Sequence, residues 1–192
     1  MPEIAGRFLL FALIHSLLAT AAVKTRICRW RFITRSYRLL YNVLSIVMFA
    51  WVLEAISGSK ILYSMSGSFS LLLRCVQAGA LVLLCRCAIQ TGLADFAGIN
   101  QMLTGTECTP RFTRSGCYRL VRHPQYTLAV IFLFAAPTVT VNYAILTLLS
   151  SCYFITGGFI EELRLGHLFG SDYHRYQTEV PMFVPRLHDL LP

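Results

Sequence analysis

The chain has 192 residues, of which 56% are hydrophobic and only 14% are charged. Soluble domains usually carry about 25% charged residues, so this composition excludes a domain whose whole surface is covered by water. The net charge of +8 would suit a nucleic-acid partner, but the basic residues are concentrated beside apolar runs, which is the pattern of the positive-inside rule for membrane proteins and excludes that class.

Three apolar runs occupy the first half of the chain, at about 4–23, 37–56 and 69–90. Each has about 20 residues, the length of helix that crosses a hydrocarbon core about 30 Å thick. The first run is followed by a basic stretch and is longer than the core of a signal peptide, so we expect a retained span. Residues 57–68 contain turn-forming Ser and Gly and predict a short outer loop.

Two further runs, at about 125–139 and 142–160, are joined by a tight link near Pro137 and Asn142. They predict a C-terminal helical hairpin. The fold we expect is therefore an all-α integral membrane protein with about five transmembrane helices. Because the basic loops lie inside, the N-terminus is expected outside and the C-terminus in the cytoplasm.

Two segments, 91–124 and 161–192, are too polar to lie in a membrane. By the topology above both lie at the cytoplasmic face, so nearly all polar chemistry is expected there. We therefore divide the chain into N-terminal transmembrane helices at 1–90, with three spans, and a functional core at 91–192.

The first polar motif is Arg122-His123-Pro124-Gln125-Tyr126. Pro124 disfavours helical geometry at His123 and suits the first turn of the helix that follows. The free N–H groups of that turn, beside Arg122 and His123, predict a site for a carboxylate or phosphate. A simpler alternative is that Arg122 and His123 only anchor the helix end at the lipid headgroups.

The second motif is the acidic pair Glu161-Glu162, which directly follows the last apolar run. Adjacent carboxylates there are unfavourable unless they face a wet cavity or a cation. Because helix neighbours diverge by about 100°, one can point inward while the other faces solvent. An inward carboxylate could bind an amino group or a ribose; alternatively, the pair only bridges to Arg164 or Arg119.

The third motif lies in the tail. Gly170 is typical of a helix end, with Ser171 or Asp172 as the next N-cap, and Tyr173 and Tyr176 lie one turn apart on one face. Pro181 and Pro185 predict an extended exit that lies as a lid along the inner surface. His167 and His174 are expected at the surface, since their spacing is poor for a metal.

Ionisable groups inside the spans are functional candidates by default. His15 lies in the first run and Glu54 near the outer end of the second, and His15 could instead only bridge two helices by a hydrogen bond. No Cys-x-x-Cys pair is present, so unpaired packing thiols and no metal site are expected for the seven cysteines, at positions 28, 75, 85, 87, 108, 117 and 152.

Together these motifs resemble the integral membrane methyltransferases, a group that includes the isoprenylcysteine carboxyl methyltransferases, the phospholipid N-methyltransferases and NnrU-like bacterial proteins. The likeness covers about residues 95–186 and rests on Ser-Gly-x-Tyr at 115–118, Arg-His-Pro-x-Tyr at 122–126, Glu-Glu at 161–162, Phe-Gly-x-x-Tyr-x-x-Tyr at 169–176, and Val-Pro at 180–181 followed by Pro185. The first two spans look more like the NnrU-type branch.

The resemblance implies S-adenosyl-L-methionine as cofactor at the cytoplasmic side. Carried over by position, the cofactor-binding residues would be Pro110, Arg111, Phe112, Thr113, Tyr118, His123, Pro124, Gln125, Tyr126 and Glu161, with Gln101 a looser candidate. Glu162 and Arg122 are the catalytic candidates, and His123 or a tyrosine could also deprotonate an acceptor.

The implied activity is methyl transfer to a lipophilic or small membrane-partitioning acceptor: a thiol, a carboxylate or an amine. One departure matters, because prenylcysteine methyltransferases carry an Arg one helical turn before the glutamate, where this chain has Gly157. Alternatives are an NADPH-dependent reductase of the sterol type, which shares Arg-His-Pro-x-Tyr, and a non-enzymatic membrane protein that keeps the fold.

Overall fold

The computed structural model describes residues 3–28, 31–104 and 112–186. Over these ranges most residues are helical, and the strands that occur are two of three and four residues. This architecture confirms the expectation of an all-α membrane protein.

Three helices are long and apolar enough to cross a membrane: α3 (Arg31–Glu54), α4 (Gly67–Gln90) and α8 (Val141–Phe169). A fourth crossing arises if α1 (Glu3–Ala19) and α2 (Ala21–Ile27), which meet at an angle of 71°, act as one broken span. Thr20 separates the two and caps α2, since its side chain accepts a hydrogen bond from Val23 N at 3.4 Å. The described residues thus contain three or four candidate spans, fewer than the five expected.

The missing span is the fourth predicted run. Helix α7 (Pro124–Phe134) has 11 residues, and at 1.5 Å per residue it is about 16 Å long, half the thickness of the hydrocarbon core. Beyond it, the β-branched residues of Thr138–Thr140 form strand β2, which pairs with strand β1 (Ile61–Ser64). Strand β1 lies where only a loop was expected.

The described residues pack as two compact units, each assembled from three stretches of the chain. The first unit contains the described parts of Met1–Leu62, Thr91–Arg111 and Thr140–Leu149. Within it α1 packs on α3, and the short helices α5 (Leu93–Ala97) and α6 (Ile99–Thr104) also lie against α3. The division of the chain by function at residue 90 is a different property and stays a prediction.

Inside the first unit, His15 joins α1 to α3. Its Nδ1 lies 2.8 Å from Ser45 Oγ and its Nε2 lies 2.7 Å from Tyr41 OH. Because the Ser45 hydroxyl donates to Tyr41 O at 2.7 Å, Ser45 Oγ accepts from His15 Nδ1–H and Tyr41 OH donates to Nε2. The predicted bridging of two helices is therefore confirmed, and the ring is neutral in this arrangement.

Glu54 ends α3 with an exposed side chain. Its carboxylate lies 3.6 Å from the guanidinium of Arg7, which also donates to Trp51 O at 2.7 Å and covers the Trp51 ring. Glu3 pairs with the same arginine. These contacts tie the start of α1 to the end of α3.

The second unit contains Tyr63–Gln90, Phe112–Val139 and the described part of Ser150–Pro192. Helix α4 packs along α7, and Gln77 Nε2 donates to Phe132 O at 3.1 Å. The unit also holds a 3₁₀ helix (Gly116–Arg119), the second part of α8, and α9 (Ser171–Glu179). Gly170, at a φ of +54°, precedes α9 directly, so the predicted N-cap at Ser171 or Asp172 is wrong by one or two residues.

A disulfide links Cys87 near the end of α4 to Cys117 in the 3₁₀ helix. The expectation of unpaired thiols is therefore wrong for these two cysteines. Thirty residues separate them in sequence, and only the tertiary fold brings their Cα atoms to 6.1 Å, within the range that a disulfide bridges. Cys75, Cys85 and Cys152 are free thiols, as predicted, and Cys108 lies outside the described residues.

Candidate active site

The candidate site begins where Pro124 starts α7, as the sequence predicts. The two amides that precede the helix are already engaged, because Arg122 N donates to Pro181 O at 2.9 Å and His123 N donates to Met182 O at 3.1 Å. The predicted anion site uses the amides of the first turn after Pro124, which these two bonds do not involve, and it stays a prediction.

The acceptors of those bonds belong to the extended segment Val180–Arg186, which we call the C-terminal strap. Thr127 Oγ1 donates to Phe183 O at 2.8 Å, so the strap follows the first turn of α7. Gly158 of α8 permits this path, because a Cβ at that position would lie 2.7 Å from Phe183 Cζ. The strap therefore lies against the start of α7 and against α8, and its role as a lid stays a prediction.

Glu162 is the centre of the hydrogen-bonding network. Its side chain is only 9% exposed, yet it is well satisfied. Arg122 donates from Nε to Oε1 at 3.0 Å and approaches Oε2 with Nη2 at 2.9 Å. His123 Nε2 and the Tyr173 hydroxyl each lie 2.7 Å from Oε1, and Gln177 Nε2 donates to Oε2 at 2.7 Å. We call this carboxylate and its four donor residues the Glu162 hub.

Arg122 has further acceptors of its own. Its Nη1 donates to Gln177 O at 3.0 Å and to Val180 O at 2.5 Å. The cation that compensates Glu162 is thus Arg122, where the sequence suggested Arg164 or Arg119. Because carboxylate and guanidinium are both directed at protein atoms, the two predicted catalytic residues hold α7, α8, α9 and the strap together.

Glu161 differs sharply from its neighbour. Its side chain is 34% exposed, which confirms the expected divergence of the pair on the helix. One oxygen, Oε2, accepts from Tyr126 OH at 3.0 Å and lies 3.6 Å from His123 Nδ1. Among the described residues nothing donates to Oε1, so this atom is the one available to a ligand.

Aromatic rings line the approach to Glu161. The ring of Tyr126 stacks on one side with His123, at a centroid distance of 5.4 Å, and on the other with Phe154, at 5.5 Å. Gly157 lies on the same stripe of α8, one turn before Glu161, and a Cβ there would meet no atom within 4 Å. The result is a carboxylate at the end of an aromatic wall, with open space over the helix backbone.

A second aromatic cluster forms around Phe112. Its ring centroid lies 5.3 Å from that of Tyr173 and 5.0 Å from that of Tyr176, which share a buried face of α9 as predicted. Tyr176 OH donates to Tyr118 O at 2.6 Å. The cluster fixes the segment that leads from Phe112 into Arg122.

The tyrosines of this cluster stay protonated at neutral pH. Burial, together with the negative charge of Glu161, raises the pKa of Tyr118 to about 12. Burial also raises the pKa of Tyr176, and burial with the hydrogen bond to Glu162 raises that of Tyr173. These phenols are therefore hydrogen-bond donors.

The structure brings together many of the predicted site residues within the second unit, namely Phe112, Thr113, Tyr118, Arg122, His123, Pro124, Gln125, Tyr126, Glu161 and Glu162. Pro110 and Arg111 lie outside the described residues. Gln101 is buried in the first unit, where its amide donates to Thr34 O at 2.9 Å. Gln177 and Phe154 were not predicted as site residues. Of the two, Gln177 could have been found from its spacing, because it lies one helical turn after Tyr173.

A groove of about 460 Å³ opens on the other flank of Glu162. Its lining combines apolar side chains of α8 with two imidazoles, and consists of Phe159, Glu162, Leu163, Gly166, His167, His174 and Gln177. His167 and His174 are exposed, as predicted. Since successive helix residues are 100° apart, this groove and the open space at Gly157 face different directions.

Methanethiol S-methyltransferase 1 of Bradyrhizobium diazoefficiens is 28% identical over 183 residues, which cover 92% of this chain and 64% of that protein. Methanethiol S-methyltransferase of Pseudomonas deceptionensis is 37% identical over 70 residues, covering 36% of this chain and 27% of that protein. The chain thus spans less than two thirds of the length of these relatives, and no solved structure matches it significantly.

The sequence model of the family described as phospholipid methyltransferase matches residues 75–172. That match covers half of the chain and contains all of α7 and α8, with both residues of the acidic pair. The chain therefore belongs to the phospholipid methyltransferase family, within the superfamily of integral membrane methyltransferases.

Proposed function

We propose that this protein transfers a methyl group from S-adenosyl-L-methionine to a small thiol at the membrane. Family membership supports methyl transfer, and the names of the relatives point to methanethiol as the first acceptor to try. The observation that carries the proposal is Glu161, a partly exposed carboxylate among aromatic rings with one oxygen that no described residue engages.

The donor set at this position fits the cofactor. Glu161 Oε1 would accept from the amino group or a ribose hydroxyl, and the amides of Gln125 and Tyr126, in the first turn of α7, would face the carboxylate. The rings of Tyr126 and Phe154 offer surfaces to an adenine. When bound, the cofactor supplies a methyl group on a positively charged sulfur, for which the Glu161 carboxylate is a suitable counter-charge.

The acceptor is proposed to be small and without a carboxylate. Gly157 leaves the helix backbone open at the position where prenylcysteine methyltransferases have an arginine. The side chain one turn earlier is the Phe154 ring, which contacts Tyr126. An opening with an aromatic wall and a glycine in place of that arginine suits an apolar thiol better than an acid.

Glu162 and Arg122 serve this reaction by positioning other groups. All their strong contacts are to protein atoms, so a substrate would have to displace one of them. Their effect is to hold His123, α9 and the C-terminal strap in place. The proposed location of the whole site is the cytoplasmic side of the membrane, which the positive-inside distribution supports.

The cofactor is tested by calorimetric titration of S-adenosylhomocysteine into protein reconstituted in lipid nanodiscs. Glu161→Ala is expected to weaken binding at least about tenfold, as the loss of one charge-assisted hydrogen bond does. Asp172→Ala, which removes an exposed acid of the same unit, should leave binding unchanged. Saturable binding of NADPH, with none of S-adenosylhomocysteine, would overturn the proposal in favour of a reductase.

The acceptor is tested in the same nanodiscs with S-adenosyl-L-methionine labelled in its methyl group. Methanethiol is expected to yield labelled dimethyl sulfide, collected from the headspace. Phosphatidylethanolamine and an S-prenylated cysteine are the comparison acceptors. Label in either of these, with none in dimethyl sulfide, would reassign the acceptor class.

A further inference from the structure

A thiol needs a base before it can accept a methyl group, because the thiolate is the nucleophile. An alkanethiol resembles the Cys side chain, whose pKa of about 8.5 leaves it mostly protonated at neutral pH. The proposed function therefore requires a group that accepts a proton beside Glu161.

The tyrosines cannot be that base. Burial raises the pKa of Tyr118 to about 12, and the Tyr173 and Tyr126 hydroxyls already donate their protons to Glu162 and Glu161. A phenol that donates to a carboxylate has no reason to lose its proton, so these groups act as donors.

Glu162 is also unsuited to the task. Four residues direct donors at its two oxygens, so both oxygens are already engaged. Any proton placed on it would break a charge-assisted hydrogen bond with Arg122. Glu161 and His123 are left as the groups that can take a proton beside the proposed cofactor position.

The two nitrogens of His123 have different surroundings. Nε2 lies 2.7 Å from Glu162 Oε1, and because a carboxylate only accepts, Nε2 carries the hydrogen. In the neutral ring the lone pair is then on Nδ1, which faces Glu161 Oε2 at 3.6 Å, too far for a hydrogen bond. Glu162 thus assigns the tautomer, as an orienting carboxylate does for a catalytic histidine.

The ring cannot easily turn away from this orientation. It stacks on Tyr126 with an angle of 7° between planes, and the Phe183 ring of the strap packs against it at 5.6 Å. His123 N is also bonded to Met182 O. The Nδ1 lone pair is therefore held toward Glu161 Oε2.

We propose that His123 is the general base of this site: its Nδ1 takes the proton of the thiol, and Glu162 is the positioning residue that aims it. This rests on the proposed function. The S–H bond breaks with its electron pair left on sulfur, and the proton forms the Nδ1–H bond. The thiolate then bonds to the methyl carbon, and the pair of the old carbon–sulfur bond stays on the sulfur of the demethylated cofactor.

The charges around His123 favour this step. Glu162 and Glu161, both on α8, lie on opposite sides of the ring, so the imidazolium that forms sits between two carboxylates. The other groups that face it are Arg122, whose charge is engaged by Glu162, and the neutral hydroxyls of Tyr126 and Tyr173.

The first test needs no activity. In protein labelled with ¹⁵N-histidine, NMR near neutral pH should show a ring with hydrogen on Nε2 and none on Nδ1, assigned by its absence in His123→Gln. A ring that carries hydrogen on Nδ1, or on both nitrogens throughout the pH range of activity, would overturn the proposal.

The second test compares thiols of different acidity. Glutamine keeps an amide nitrogen near the position of Nε2 and lacks Nδ1, so His123→Gln retains a donor for Glu162. We expect it to lower kcat/KM for an alkanethiol by about 10²–10⁴-fold, the usual contribution of a general base, and for an acidic arylthiol by less than about tenfold. Equal losses for the two thiols would contradict the assignment.

Tyr173→Phe is the matched control, because it removes one donor of the Glu162 hub and leaves His123 intact. Its loss of rate should be the same for every thiol. Titration with S-adenosylhomocysteine distinguishes failure of the proposed function from failure of the general-base assignment. If the wild-type protein binds no S-adenosylhomocysteine, the proposed function is refuted. Normal binding and thiol methylation, combined with His123→Gln losses that do not depend on thiol acidity, refute only the base.

Discussion

Two buried polar clusters, one in each unit, join helices of this protein in different ways. In the first unit His15 is neutral and its two nitrogens meet hydroxyls of one neighbouring helix, on Ser45 and Tyr41. In the second unit Glu162 is paired with a guanidinium and receives donors from the two residues that precede α7 and from α9. The first cluster connects two helices, whereas the second connects four segments through one charge.

The His15 cluster therefore behaves as a contact that only joins helices, whereas the Glu162 hub belongs to the candidate active site. A neutral hydrogen-bonded bridge can lose one bond and remain satisfied by the others. A buried charge cannot, because removal of either partner leaves the other uncompensated in a medium of low dielectric. We therefore expect mutations in the Glu162 hub to affect both stability and ligand binding, and mutations at His15 to affect stability alone.

The largest effect is expected for Glu162→Ala. It leaves Arg122 buried without its carboxylate and should lower the free energy of unfolding by about 3–5 kcal/mol. Thermal unfolding in nanodiscs measures the loss, and binding of S-adenosylhomocysteine should fall with it. Glu162→Gln keeps the shape and should lose less; equal stability of wild type and Glu162→Ala would remove the basis of the comparison.

A smaller effect is expected from the neighbouring glycines of α8. Gly158→Leu would push on Phe183 of the C-terminal strap, and overpacking of this kind costs about 1–3 kcal/mol. Gly157→Ala is the matched control, because a Cβ there meets nothing within 4 Å. Limited proteolysis at the strap should distinguish the two variants. Equal protection of the strap in both would show that it does not depend on Gly158.

His15→Phe tests the His15 cluster of the first unit. Polar contacts between membrane helices contribute on average about 0.6 kcal/mol, and up to about 1.7 kcal/mol. A loss in this range is expected from thermal unfolding, with the binding of S-adenosylhomocysteine unchanged. Should His15→Phe weaken that binding, the first unit would take part in the site and the contrast between the two clusters would fail.

The smallest effect appears only in alkali. Burial raises the pKa of Tyr118 to about 12, whereas the phenols of the unfolded chain lose their protons near pH 10. The folded state therefore holds more protons above pH 10, and the free energy of unfolding falls as the pH rises from there to the folded pKa. Tyrosinate absorbance should appear at higher pH in the folded protein than in the unfolded protein, and Tyr118→Phe should reduce this difference in pH. If the folded and unfolded proteins titrate at the same pH, the prediction is wrong.

Local features of the site could be predicted from sequence. Pro124 starts α7 because its fixed φ suits a first turn. Tyr173 and Tyr176 share a face because three residues make almost one helical turn. Glu161 diverges from Glu162 because adjacent residues on a helix point in different directions. Each of these follows from helix geometry over a few residues.

Features that depend on contacts between distant segments of the chain could not be predicted from the sequence. The partner of Glu162 is 40 residues away, and nothing local distinguishes Arg122 from Arg164 or Arg119. The pairing of Cys87 with Cys117 depends on the contact of α4 with the 3₁₀ helix. The apolar run at 125–139 failed as a span because hydropathy does not show that its last residues pair as a strand with Ile61–Ser64.

The position of the C-terminal strap has a consequence for biosynthesis. Arg122 and His123 are translated well before Pro181 and Met182, whose carbonyls accept their amide hydrogens. During vectorial synthesis these amides, and the arginine that awaits Glu162, must stay hydrated at the membrane surface until α8 has been inserted and α9 has followed it. The Glu162 hub is therefore completed late, after the spans are already in the bilayer.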